Sequence, residues 1–120
     1  LIAAIAAIAH RRDLTIGVFG HAGDGNLHPT IIFDGSDPGS RRRARMAFDE
    51  ITGTALDLGG TITGEHGVGR LKRNWLATEI GYVGLSVQTA VKAALDPAGI
   101  LNPGTVLPPG GIAQDIAKRS

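Results

Sequence analysis

Residues 17–35 read GVFGHAGDGNLHPTIIFDG, and the reading of this stretch decides the fold. His21 and His28 bracket Ala22-Gly23-Asp24-Gly25-Asn26, a run of turn formers in which no helix is expected, because glycine adopts backbone angles that other residues resist. Strand-type residues flank it, Leu14–Phe19 before and Leu27 with Thr30–Phe33 after. The pattern predicts a strand, a tight Gly-rich connection and a returning strand. His21 then closes one strand and His28 opens the next, so that the imidazoles face each other across the hairpin mouth. Directly opposed residues on paired strands have Cβ atoms about 4.5–5.5 Å apart. Two ring nitrogens can reach one metal ion from there, at about 2.0–2.1 Å each.

A second segment, TITGEHGVGRLKR at 61–73, answers the first. Its β-branched start predicts a strand over 61–64 that enters a turn carrying Glu65 and His66 between glycines. Two histidines from one loop and a carboxylate from another make a His2Glu set, an open coordination sphere of the catalytic kind, with His66 left over as a proton acceptor. The competing reading of His21 and His28 is a pair of polar hairpin residues bonded to backbone. The independent third donor, Glu65, is what favours the metal. Asp24 is a rival ligand, although its place between two glycines suits a turn-stabilising contact, and Asn26 can do the same. Neighbours on an extended strand point to opposite faces, so Glu65 and His66 serve one site only if Gly64 and Gly67 bend the chain.

The 120 residues make one domain by length, and a net charge of +1 gives nucleic acid no support as a partner. No cysteine is present, which removes disulfides and thiolate metal sites and is compatible with a reducing, cytoplasmic setting. Low aromatic content and 18 glycines suit a loop-rich α+β domain filled by small aliphatic side chains. Leu1, Ile5 and Ile8 predict a helix over 1–12 buried on one stripe, with Arg11 and Arg12 at its negative end. Its apolar run is too short to span a bilayer, which takes about 20 residues, and it lacks the basic start of a signal peptide. His10, in an Ala-rich setting, reads as a surface residue. The start on Leu1, within a helix, predicts a piece of a longer protein.

Asp37-Pro38 is an N-cap followed by proline at the first helical position. Ala44, Ala47, Phe48, Ile51, Ala55 and Leu58 continue at helical spacing until Gly59-Gly60. Arg41, Arg42, Arg43 and Arg45 read as a solvated face, with an anionic partner as the alternative. A further helix is expected over 84–95, with Val87, Val91, Ala94 and Leu95 on one face, ending at Asp96-Pro97. ILNPG at 100–104 then forms an extended turn. The domain is expected to run over 1–107, followed by a mobile tail at 108–120. Neither GxGxxG after a strand nor GxxxxGK[ST] occurs, so no nucleotide-binding loop is visible.

HAGDGNLHP, GEHGVGRLK and LDPAGILNPG, in that order, resemble the C-terminal domain of the FAD-linked oxidases, in the branch of the glycolate oxidase D-subunit and D-lactate dehydrogenase. The resemblance implies an α+β fold with a small antiparallel sheet covered by helices, ferredoxin-like, as the C-terminal domain of a vanillyl-alcohol-oxidase-type flavoprotein. It implies a divalent metal on His21, His28 and Glu65 beside the flavin, with zinc the best match and manganese or iron(II) the alternatives. It implies that His66 takes the hydroxyl proton of a small 2-hydroxy acid while a hydride passes to flavin N5. FAD would be held mainly by an N-terminal domain absent from this chain, with Asn102 as a flavin-side contact. Membrane contact would be peripheral, through an electron-acceptor partner; the face carrying His21, His28, Glu65 and His66 would close against the flavin, with a second copy of the chain as an alternative cover. Thr105 stands where family members often have lysine, and Thr30 where some relatives have asparagine. Two readings compete with the oxidase: a metal-dependent hydrolase on the same residues, and a non-catalytic fragment or assembly module.

Overall fold

The computed structural model describes residues 1–107, which carry α1 (Ile2–Arg12), β1 (Thr15–His21), β2 (Asn26–Ile32), α2 (Pro38–Asp57), a 3-10 turn (Arg73–Trp75) and α3 (Leu76–Leu95). The chain divides into two compact units, Leu1–Thr61 and Ile62–Ser120. The tail expected at 108–120 lies outside the described residues.

In the first unit α1 and α2 pack against each other and against a two-stranded antiparallel sheet. Ile5 and Ile8 of α1 meet Ala47 and Ile51 of α2, and Leu14, Ile16, Val18 and Ile31 close the core from the sheet side. Full burial of an isoleucine contributes about 1.5–3 kcal/mol, so this cluster holds the hairpin to the helices. Asp37 caps α2 as its sequence implies, its carboxylate accepting from Gly39 N–H and Ser40 N–H, a cap worth about 1 kcal/mol. Gly59 (φ 76°) and Gly60 return their N–H groups to Leu56 and Ala55 carbonyls and end the helix. Leu58 falls past the last helical residue and is exposed, against the apolar stripe expected of it. At the far end of the core Glu50 accepts from both Arg11 and Arg12, tying the end of α1 to α2. The basic run is exposed: Arg45 pairs with Asp49, and Arg41 donates to the Gly35 carbonyl.

The second unit departs from expectation in two places. Residues 61–64 are not a strand. Ile62 is buried, and its N–H goes to the Glu79 carboxylate at 3.1 Å, so this donor is taken by a side chain rather than a neighbouring strand. The helix expected from Gly84 begins at Leu76, and a break at Gly81 (φ 67°, ψ 174°) separates its first turns from the remainder. The end is as read: Asp96 closes α3. Leu85 is fully buried, whereas Val87, Val91 and Leu95 are exposed and border an open cleft of about 530 Å³ with Leu101, Val106 and Leu107. No helix among the described residues is long and apolar enough to cross a membrane.

Candidate active site

The hairpin positions its histidines by register. Phe19 pairs with His28 and His21 with Asn26. His21 and His28 are therefore diagonal neighbours, not directly opposed residues, and Asn26 rather than His28 opens β2. Both lie on the face of the sheet that turns away from Ile16, Val18 and Ile31. The rings meet edge to face with centroids 5.5 Å apart and planes at 89°. Diagonal pairs are within reach for aromatic side chains, which is why the expected meeting survives the change of register. Gly20 makes the mouth close: a Cβ there would lie 2.3 Å from the Asn26 carbonyl oxygen. In the connection, Asp24 N–H and Gly25 N–H both return to the His21 carbonyl.

The second unit presents Glu65 and His66. The chain bends there, with Gly67 at φ 73°, and His66 Nε2 lies 3.4 Å from Glu65 Oε1. The imidazole and the carboxylate thus share one side of the turn, which an extended strand would forbid. Both side chains are exposed, His66 more than Glu65. Lys72 stands at the start of the 3-10 turn, its N–H on the Val68 carbonyl.

Asn102 sits in the left-handed region at φ 49°, where asparagine is tolerated better than most residues. Its Oδ1 accepts from the Thr105 hydroxyl at 3.1 Å, which leaves the amide NH2 as the outward donor. The turn that carries it is held from α3 by Asp96, whose buried carboxylate accepts from Lys92 and from Ile100 N–H and Leu101 N–H. The Lys92 ammonium, helped by those two N–H groups, holds the Asp96 carboxyl below the ordinary carboxylate range despite burial. From the other side Arg73 donates to the Gly104 carbonyl, and Arg70 reaches Pro103 and Thr105. Sequence reasoning assigned these two arginines no role. Their partners lie more than thirty residues away along the chain, and nothing local marks them.

The family model described as "FAD linked oxidases, C-terminal domain" matches residues 1–106. The chain belongs to this family. As an FAD-linked oxidase C-terminal domain it is similar to the glycolate oxidase subunit GlcD of Bacillus subtilis (strain 168), with 46% identity over 99% of this chain and 24% of that protein. The glycolate oxidase subunit GlcD of Escherichia coli (strain K12) is 42% identical over 87% of this chain and 21% of its own length. The mitochondrial D-lactate dehydrogenase [cytochrome] of Arabidopsis thaliana is 45% identical over 81% of this chain and 17% of its own length. This FAD-linked oxidase domain thus spans about a quarter or less of these curated relatives.

Proposed function

We propose that this chain is the metal- and substrate-binding portion of an FAD-dependent 2-hydroxy-acid dehydrogenase, of the glycolate or D-lactate type. The observation that carries the reading is the exposed Glu65-His66 pair, imidazole and carboxylate on one side of a Gly-bracketed turn, in a chain of this oxidase family. Names of relatives agree with it: the similar proteins are glycolate oxidase subunits and D-lactate dehydrogenases.

The donor set fits a divalent metal. Two imidazoles, His21 exposed and His28 half-buried, meet on the sheet face away from the core, and a carboxylate with no lysine or arginine adjoining it in sequence offers the hard third ligand. His21, His28 and Glu65 would hold the ion. When bound, it supplies Lewis acidity toward a hydroxyl, as FAD supplies the hydride acceptor. His66 takes the hydroxyl proton. The Glu65 carboxylate stands 3.4 Å from its Nε2. An imidazole suits this work because its unperturbed pKa, about 6.5, lies near working pH. Asn102 offers its outward NH2 to an acceptor on the flavin side. The proposed setting is cytoplasmic, in keeping with a chain that has no cysteine.

The test is anaerobic mixing of the full-length protein that carries this chain with D-lactate or glycolate. Flavin bleaching is expected with at least one of them, and about 10²–10⁴-fold more slowly after His66→Asn. A flavin that no 2-hydroxy acid reduces would overturn the reading.

A further inference from the structure

Inside the second unit residues 69–73, which lead from the Glu65-His66 turn into the 3-10 turn, are joined to the turn bearing Asn102 by three links. Val106 N–H donates to the Gly69 carbonyl at 2.8 Å. Arg73 Nη1 donates to the Gly104 carbonyl at 2.5 Å. Arg70 reaches Pro103 O at 3.5 Å and Thr105 Oγ1 at 3.4 Å, contacts too long to hold much. Among the side chains, then, Arg73 is the principal tie. It is not a solvated surface charge: the side chain is half-buried, and Nε is buried with no acceptor among the described residues. Partly withdrawing a guanidinium from water for one backbone carbonyl is costly, which marks that carbonyl as one the fold holds in place.

That carbonyl belongs to a constrained turn. Asn102, Gly104 and Val106 all have positive φ, at 49°, 73° and 66°. For a β-branched residue such as Val106 this is a sparsely populated conformation, and it persists only where the surroundings over-determine it. Here they do. Asp96 grips the start of the turn through Ile100 and Leu101, and Gly69 and Arg73 grip its end.

We propose that Arg73 is a positioning residue: by holding the Gly104 carbonyl it fixes the Asn102 turn against the segment that follows Glu65 and His66, and so limits how far the three side chains can drift apart. The inference rests on the function proposed above, because only a reaction needing both turns at once gives that rigidity a use. Misplacement by about 1 Å can cost roughly 100-fold in rate. A lysine keeps the charge at this position but not the planar fork, which makes Arg73→Lys the informative change.

Turnover of a D-2-hydroxy acid is measured in the full-length protein for wild type, R73K, R73A, N102A and the R73A/N102A double variant. Both Arg73 variants are expected to lose roughly 10- to 100-fold in kcat, with KM and flavin content near wild type. The double variant should be about as slow as the slower single variant, because the arginine acts through the turn that carries Asn102. Millimolar guanidinium ion should restore part of the R73A rate. A readout independent of activity is amide hydrogen exchange in the 120-residue chain: R73K should raise exchange at Val106 roughly tenfold and leave Leu85 unchanged. Multiplicative losses in the double variant, or unaltered exchange at Val106, overturn the proposal. Faster exchange at Val106 in a protein that oxidises no 2-hydroxy acid would sink the functional reading and leave the link between the turns standing.

Discussion

His66 Nε2 lies 3.4 Å from Glu65 Oε1, so two adjacent residues present their functional groups to the same side of the chain. The chain bends at residues 64–66, and on the function proposed above one turn would offer both a ligand and a base. Replacing His66 by Asn should therefore separate the two roles. We expect kcat in the full-length protein to fall by about 10²–10⁴-fold, the usual contribution of a general base, while bound metal stays within twofold of wild type. Elemental analysis beside steady-state kinetics makes the comparison.

His28→Ala should do the opposite: metal and activity disappear together, flavin stays bound, and thermal stability changes by less than about 1 kcal/mol. The residue faces away from Ile16, Val18 and Ile31, so its loss leaves the core intact. Zinc titration by calorimetry, with a melting curve on the same sample, checks both halves. Full metal occupancy in the variant would remove His28 from the ligand set.

Gly20→Ala is expected to destabilise the hairpin by about 1–3 kcal/mol, because the new methyl would stand 2.3 Å from a backbone oxygen that cannot step aside cheaply. The same change should weaken zinc binding, since the mouth that brings the two imidazoles together must open. Urea denaturation gives the first figure and metal titration the second.

The pH dependence of stability should carry the signature of Glu50. Hydrogen bonding from Arg12, and then from Arg11, holds its carboxyl below the ordinary glutamate range, against partial desolvation. A depressed folded pKa means stability that is fully present above the unfolded value, about 4.3, and is lost as pH falls through the folded one. Glu50→Gln should thus be less stable than wild type at pH 7, and the gap should close at acid pH below that window. Denaturation midpoints of the pair across pH 2–7 measure it.

Asp96→Ala is predicted to free the Asn102 turn. Removing the carboxylate takes one acceptor from Lys92, which keeps the Leu101 carbonyl, and strands two backbone donors; hydrogen bonds to a charged group contribute about 1.5–3 kcal/mol each. Asp96→Asn keeps acceptors for some of these and should lose less. Exchange at Ile100 and Leu101 amides, compared between the two variants, gives the ordering.

How much of this was legible in the sequence varied with where the hydrogen bonds go. The long helix of the first unit, α2, could be bounded because Asp37-Pro38 and Gly59-Gly60 act on their own backbone neighbours. The hairpin was readable for the same reason, although its register was not: alternation cannot show that His28 pairs with Phe19. The false strand at 61–64 arose because Ile62 looks like a strand residue while its N–H is taken by Glu79, seventeen positions on. The early start of α3 was hidden by Gly81, which breaks the helix locally without ending it. Metal and base candidates announced themselves through glycine-bracketed histidines. Arg73 did not, because its meaning lies in a carbonyl thirty-one residues away.

The hairpin has two working sides: Ile16, Val18 and Ile31 face the helices, and Phe19, His21 and His28 face outward. Inheritance along such a strand is interleaved, one codon serving the core and the next the outward face. Mutational drift among the aliphatic positions can thus proceed without touching the imidazoles. Melting temperature can be retuned on one set of odd-numbered or even-numbered residues and, on the function proposed above, ligand preference on the other, with Gly20, whose Cβ would meet the facing backbone, as the position both must leave alone.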